Sequence, residues 1–163
     1  MRNNIVVDTN VFVHLFTDIN KDKHISAFLF QIKNSYFLTI DAKKIILGEY
    51  FEKLSDILRS EYQDEAELEI LRYWMDPENQ FILNKQLSAN LNQCLQQAIP
   101  NNKRDRKFAG TAILVKSDLI TNDINDLISN SHSINECANR NRESKINILT
   151  SQEANVKYSS TSN

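Results

Sequence analysis

The sequence contains very little glycine, proline or cysteine, with two residues of each among 163. Gly48 and Gly110 are too few and too far apart to form the glycine-rich phosphate loops of dinucleotide-binding folds or nucleoside triphosphatases. Pro77 and Pro100 are the only prolines, so the chain has few helix breakers. We therefore do not expect nucleotide-dependent chemistry, and we expect helix to exceed strand.

The two cysteines, Cys94 and Cys137, are too few and too isolated for a disulfide framework or a structural zinc site. We predict that both are ordinary thiols in a reducing compartment. The N-terminus lacks a basic segment followed by an apolar stretch and a cleavage site, and no apolar run reaches the roughly 20 residues that span a bilayer. These features predict a cytoplasmic protein without a membrane partner.

The sequence also lacks a large excess of charge of either sign, because its formal net charge is -2. A protein wrapped in phosphate contacts would be strongly basic, so any contact with nucleic acid is expected to be local. The length suits one domain with a substantial apolar core. We expect residues 1–150 to form that domain and residues 151–163 to form a polar, frayed tail.

Short apolar runs alternate with helical periodicity along the chain. Strands are predicted at residues 5–7, 36–40, 119–121 and 146–149. Helices are predicted at residues 10–16, 25–32, from a cap at Asp41 to 59, 62–75, 87–99 and 103–115. The polar stretch 131–145 is predicted to be a loop. Strands alternating with helices predict an α/β fold in which helices cover both faces of a central, mainly parallel sheet.

Acidic residues stand at the ends of two predicted strands, Asp8 after the first and Asp123 after residues 119–121. Ligand sites of open parallel sheets form at the carboxyl ends of the strands, so these acids should meet. Asp105 lies on one helical stripe with Phe108, Ala109 and Ala112, which predicts an inward-facing carboxylate. Glu49 lies at the rim of the apolar arc of its helix, beside Gly48, which leaves room for a ligand.

Several carboxylates within a few ångströms repel one another unless a cation neutralises them. Oxygen ligands without histidine or cysteine favour Mg²⁺ or Mn²⁺ over Zn²⁺. His14, His24 and His132 have no metal-ligand spacing and are not expected in the site. Each acid also has a structural interpretation, because aspartate after a strand is commonly a turn or helix cap, and Glu52 is a rival to Glu49.

Four segments occur in the order and context typical of PIN-domain ribonucleases. They are Ile5-Val6-Val7-Asp8-Thr9-Asn10-Val11, Leu47-Gly48-Glu49-Tyr50, Asp105-Arg106-Lys107-Phe108-Ala109-Gly110-Thr111-Ala112 and Ile120-Thr121-Asn122-Asp123. From the start to about Leu149, the chain resembles this family. The resemblance implies a three-layer α/β/α PIN-like fold and metal-dependent cleavage of RNA, with metal-bound water as the nucleophile.

The resemblance assigns the metal-binding and catalytic acids as Asp8, Glu49, Asp105 and Asp123. It assigns supporting contacts to Asn10 and Thr121, and an additional acid to Asp126. It also implies an RNA substrate, a homodimer and, if the chain is the toxin of a VapC-like pair, an antitoxin partner.

Cations surround Asp105 at the start of its helix, where they are unfavourable unless something else binds them. We predict RNA phosphate contacts for Lys103, Arg104, Arg106 and Lys107, with a solvated basic turn as the alternative. The aromatic residues Tyr50, Phe51 and Trp74 are assigned to packing.

Two other functions stay open at the level of sequence. A PIN-like domain can bind RNA or a partner protein without cutting. A HAD-like phosphohydrolase also has aspartate after its first strand, but it requires a second aspartate two positions on, where this chain has Asn10.

Overall fold

The computed structural model describes residues 2–17, 23–59 and 65–160. Its centre is a five-stranded sheet in which every paired strand is parallel, in the order β3-β2-β1-β4-β5. The strands are β1 (Asn3–Val7), β2 (Tyr36–Asp41), β3 (Gln80–Leu83), β4 (Leu119–Ile120) and β5 (Ile148–Leu149). The predicted α/β class is confirmed, and the architecture is a three-layer α/β/α PIN-like fold.

Eight α-helices lie in the described ranges. They are α1 (Thr9–Thr17), α2 (Lys23–Ile32), α3 (Ile45–Arg59), α4 (Glu65–Met75), α5 (Ala89–Ala98), α6 (Lys103–Val115), α7 (Ser131–Arg140) and α8 (Ser151–Ser159). A short 3-10 helix, Pro77–Asn79, and a π-helix, Ile124–Ile128, complete the set. Helix exceeds strand, as predicted.

The strand order reverses direction between β1 and β4. From β1 the chain passes to β2 and β3 on one side, and later to β4 and β5 on the other. In parallel sheets, a crevice opens at the carboxyl ends of the two strands that flank such a point. Helix α6 packs across β1, β2 and β4 and forms a wall of this crevice.

The core confirms the helical periodicities on which the prediction depended. Ile46, Tyr50 and Leu54 of α3 are completely buried. On α6, Phe108, Ala109 and Ala112 are completely buried and Asp105 is only 5% exposed. The amphipathic stripes therefore point where their spacing indicated.

Two predicted irregular segments are helical. Residues 131–140 form α7, whose buried side carries Ile134, Cys137 and Ala138. Residues 151–159 form α8, which begins at a capping box between Thr150 and Glu153. The predictions of a loop and of a frayed tail were wrong here, because tertiary packing stabilises helices whose polar composition alone favours disorder. Residues 161–163 of the predicted tail lie outside the described residues.

Helix α8 is held against α2 and the amino ends of β2 and β4. The ring of Tyr158 lies 5.6 Å from Phe28 and 5.3 Å from Tyr36, centroid to centroid. Its hydroxyl donates a 2.7 Å hydrogen bond to Asp118 Oδ2. These contacts make α8 part of the packed body of the protein.

Strand β3 and one aromatic side chain also differ from the prediction. Residues 80–83 were not predicted to be a strand, because Phe81-Ile82-Leu83 is a very short run, and Phe81 and Ile82 are exposed on this edge strand. Phe51, assigned to packing, is 52% exposed, whereas Tyr50 and Trp74 are completely buried as predicted.

Cys94 of α5 and Cys137 of α7 form a disulfide, with their Cα atoms 5.6 Å apart. The prediction of two ordinary thiols was therefore wrong. The sequence separation of 43 residues gave no indication of the pair, because α7 was not predicted and so nothing placed Cys137 beside α5.

Within residues 2–17, 23–59 and 65–160, no helix combines the length and the apolar character that crossing a membrane requires.

Candidate metal centre

Asp8 lies at the carboxyl end of β1, where its backbone N–H donates to Ile120 O of β4 at 2.8 Å. Its side chain is almost completely buried, at 3% exposed. The hydroxyl of Thr121 donates a 2.7 Å hydrogen bond to Asp8 Oδ2. The same hydroxyl oxygen accepts the N–H of Asp123 at 2.9 Å. Thr121 thus joins the acid that follows β1 to the acid that follows β4.

Asn10 supports this junction from the first turn of α1. Its Nδ2 lies 3.4 Å from Thr121 Oγ1, and its Oδ1 accepts the N–H of Asn122 at 3.0 Å. The supporting polar contacts predicted for Asn10 and Thr121 are therefore present. A HAD-like site would require aspartate at position 10, and aspartate lacks the amide donor that contacts Thr121. Asn10 therefore has a positioning role here.

Three acids come together in the crevice: Asp105 from α6, and Asp123 and Asp126 from the segment after β4. One carboxylate oxygen from each lies within 4.8 Å of the others, close enough to hold one cation. Asp126 is thus a full member of the cluster.

The π-helix brings Asp126 into the cluster. Asp123 caps this helix, because its Oδ1 accepts the N–H of Asp126 at 2.8 Å. Asp123 is therefore a helix cap, and the same residue can still be a metal ligand. The cap uses one carboxylate oxygen and sets the distance between the two acids.

Two asparagines that the sequence did not single out position the cluster. Asn102 caps α6 by accepting the N–H groups of Arg104 and Asp105, and its Nδ2 lies 3.5 Å from Asp126 Oδ2. Asn122 accepts the N–H of Ser151 at 3.0 Å and so connects the site to the start of α8. An asparagine directly before a predicted helix was the available signal for Asn102.

Glu49 and its rival Glu52 occupy different environments on α3. Glu49 is half-buried, and its Oε2 lies 4.0 Å from Arg104 Nε. Glu52 is exposed and accepts two hydrogen bonds from the Arg104 guanidinium, at 3.3 and 2.7 Å. Glu52 is therefore satisfied by Arg104, while Glu49 borders the buried acids.

Burial and mutual repulsion make these acids difficult to ionise. The pKa of Asp105 is raised to about 8. Burial is the largest cause, and repulsion by the neighbouring carboxylates of Asp8 and Asp123 adds to it. Burial also raises the pKa of Asp8 to about 7, against the lowering effect of the Thr121 hydrogen bond. The pKa of Glu49 is raised by burial and lowered by Arg104, with a net increase.

Asp105 Oδ2 is buried and has no hydrogen-bond partner. Glu49 Oε2 is also buried without a hydrogen bond, but Arg104 Nε lies 4.0 Å from it. Native proteins rarely leave buried polar atoms unsatisfied, because the cost is about 1–3 kcal/mol each and more for a charged group. Oxygen-only ligands match the preferences of Mg²⁺ and Mn²⁺. The orphaned oxygens and the donor set therefore fit a hard divalent cation.

The four cations predicted to contact RNA have different surroundings. Lys103 is exposed, and Arg104 is bound to Glu52. Arg106 donates to the carbonyl oxygens of Ile99 and Pro100, at 2.6 and 3.1 Å, so it satisfies the end of α5. Lys107 is half-buried and lines a cavity beside the site. The structure thus provides a structural reason for Arg104 and Arg106 at this helix start.

Comparison with known proteins adds no family assignment. No family model matches the chain, and no curated protein sequence is significantly similar to it. The class of protein is therefore defined by the fold and by the acids in its crevice.

Proposed function

We propose that this protein is a divalent-metal-dependent endoribonuclease that hydrolyses RNA phosphodiester bonds. The observation that carries the proposal is the convergence of Asp105, Asp123 and Asp126 within 4.8 Å of one another, with Asp105 Oδ2 buried and unpartnered. The acids lie at the point where the strand order reverses, which is where parallel sheets bind ligands.

Asp105, Asp123 and Asp126 would hold a Mg²⁺ or Mn²⁺ ion, and Asp8 and Glu49 would complete or extend the set. When bound, such an ion supplies water activation and compensation of charge on the leaving oxygen of a phosphodiester. The chain itself supplies orientation. Thr121 fixes Asp8 and Asn102 fixes Asp126, so these carboxylates lose little freedom when they bind a ligand.

RNA is proposed as the substrate because of the resemblance to PIN-domain ribonucleases, together with the crevice. The crevice is open on one side at half-buried Glu49, Asp123 and Asp126, so a phosphodiester can approach the acids. The antitoxin, the homodimer and the cytoplasmic location stay predictions that depend on the sequence, and the Cys94–Cys137 disulfide removes the argument for a reducing compartment that was based on free thiols. A non-cutting binding module would not need the orphaned carboxylate oxygens.

Cleavage of structured RNA by the purified protein, with Mn²⁺ or Mg²⁺ and with chelator, tests the proposal. We expect Asp8→Asn to lower the rate by about 10²–10⁴-fold, because it removes a charge worth several kcal/mol at a metal site. The amide oxygen can still accept the Thr121 hydrogen bond, so the fold should be preserved.

Asp56→Asn is the matched control, since Asp56 is an exposed acid of α3. It should cleave RNA at the wild-type rate. Cleavage that survives chelation, or equal cleavage by the Asp8→Asn and Asp56→Asn proteins, would show that the acid cluster is not a nuclease centre.

A further inference from the structure

The cavity beside the acid cluster has a volume of about 340 Å³ and opens at the same carboxyl edge of the sheet. Lysines from three separate elements line it: Lys43 from the turn after β2, Lys85 from the segment after β3, and Lys107 from α6. Lys43 and Lys85 are exposed, and Lys107 is half-buried. Three cations around one concave space make a site for a polyanion.

The strand order places this cavity on the β2–β3 side of the acids, at the same edge of the sheet. β1 pairs with β2 as far as Ile5↔Leu38, and β2 continues to Asp41, which lines the cavity. Adjacent strands are about 4.8 Å apart. Asp41 in turn pairs with Leu83, another residue of the cavity wall. Moving along the edge from β1 to β3 therefore leads from the acid cluster into the lysine cavity.

Helix α6 forms part of both sites. Lys107, Thr111 and Leu114 follow the i, i+4, i+7 spacing of one helical face, and all three line the cavity. Asp105 is two residues before Lys107, about 200° around the helix at 3.6 residues per turn, and it belongs to the acid cluster. The helix thus presents one anion, Asp105, to one side and one cation, Lys107, to the other.

The negative groups near the lysines are already engaged. Asp41 accepts the N–H of Ile46 at 2.8 Å and that of Lys43 at 3.2 Å. Glu143 forms a 3.0 Å ion pair with Lys85. Because three lysines stand against the two carboxylates of Asp41 and Glu143, the cavity keeps an excess of one positive charge.

We propose that the cavity lined by Lys43, Lys85 and Lys107 binds a backbone phosphate of the same RNA strand whose scissile phosphodiester lies at the acid cluster. This inference rests on the proposed function. The cavity would anchor a phosphate away from the scissile bond, where cations do not oppose the metal, and it would set the direction in which the strand crosses the sheet edge. Bases are not read there, so the contribution is independent of sequence.

The test measures binding, not cleavage. Fluorescence anisotropy with single-stranded oligoribonucleotides of about two to ten nucleotides is carried out in the Asp8→Asn background, so that the RNA stays intact. We expect Lys43→Gln/Lys85→Gln/Lys107→Gln to weaken binding of the longer oligomers roughly tenfold. The slope of log affinity against log salt should become shallower by about 0.7 for each phosphate that the variant no longer neutralises.

Lys116→Gln is the control for the triple variant, because Lys116 is an exposed lysine at the other end of α6, away from the cavity. It should bind RNA as the parent protein does. Glu143→Gln is expected to have the opposite effect on RNA binding. It releases Lys85 from its acid and should tighten binding of the longer oligomers.

Equal binding of RNA by the triple-lysine and Lys116→Gln proteins would overturn the proposal. So would the absence of RNA binding by the parent protein. A third contrary result is that inorganic phosphate binds at the lysines but does not displace RNA. The first result together with metal-dependent cleavage by the wild-type protein would remove the lysine cavity but leave the nuclease intact. Thermal unfolding of each variant shows whether the fold is preserved.

Discussion

At the scale of single residues, the site depends on side chains that have two roles at once. Asp123 caps the π-helix and also faces the other acids. Thr121 joins the ends of β1 and β4 and orients Asp8. Asp123 was recognised from its position after a strand, and Thr121 from the resemblance to PIN-domain ribonucleases. The use of Asp126 depends on a π-helix that no sequence pattern indicated.

The distinction between Glu49 and Glu52 leads to a prediction at this scale. We expect Glu49→Gln to weaken Mn²⁺ binding by roughly 10–100-fold, the range found for residues that support metal sites. Glu52→Gln should leave the affinity unchanged, because Glu52 is exposed and held by Arg104. Isothermal titration calorimetry measures both. An equal loss in the Glu52→Gln protein would identify Glu52 as the ligand.

At the scale of elements, α6 and the disulfide-linked pair of α5 and α7 frame the crevice. Helix α5 packs on α6, and its last carbonyls accept hydrogen bonds from Arg106. Helix α7 follows directly on the π-helix that carries Asp126. The covalent link between α5 and α7 therefore stabilises the elements that support two of the three clustered acids.

Removal of the disulfide should lower the free energy of unfolding. Closing a loop with a sequence separation of 43 residues is worth about 2–4 kcal/mol, because the cross-link restricts the unfolded chain. Urea unfolding of the Cys94→Ser/Cys137→Ser protein, compared with the oxidised wild type, measures the difference. Reduced wild type serves as the control and should behave like the variant. Identical midpoints for the oxidised and reduced wild type would contradict the prediction.

At the scale of the whole molecule, the fold brings the buried carboxylates close together, where they repel one another unless a cation is bound. The pKa of Asp8 is raised to about 7 and that of Asp105 to about 8, mainly by burial. The folded state therefore binds protons more tightly than the unfolded state. The stability that these groups contribute is present below about pH 4 and is lost as the pH rises through about 7 and 8.

Metal-free protein should consequently lose stability between about pH 5 and pH 8, and Mg²⁺ or Mn²⁺ should restore it at pH 8. Asp105→Asn removes one of these charges. In chelator at pH 8, we expect the variant to be about 1–3 kcal/mol more stable than wild type, with a smaller advantage at pH 5. It should gain less from metal than wild type does.

Urea unfolding at both pH values, with chelator and with metal, gives these differences directly. A variant that is less stable than wild type in chelator at pH 8 would show that the ionised carboxylate is compensated within the protein itself.

The sequence by itself determined the parts of this protein that depend on local pattern. Apolar runs ending in aspartate defined β1 and β4, and helical spacing placed Asp105 on a buried face. The parallel sheet followed from the alternation of strands and helices. These features are predictable because side-chain periodicity directly determines which face of an element is buried.

Only the tertiary structure decided the features that depend on distant segments. Edge strand β3, polar helices α7 and α8, and the disulfide exist because packing against other elements stabilises segments with weak local signals. The same cause brings Asp126 to Asp105, and Lys43 and Lys85 to Lys107. Residues far apart in sequence meet only when strand order and register are fixed, and neither can be determined from local composition.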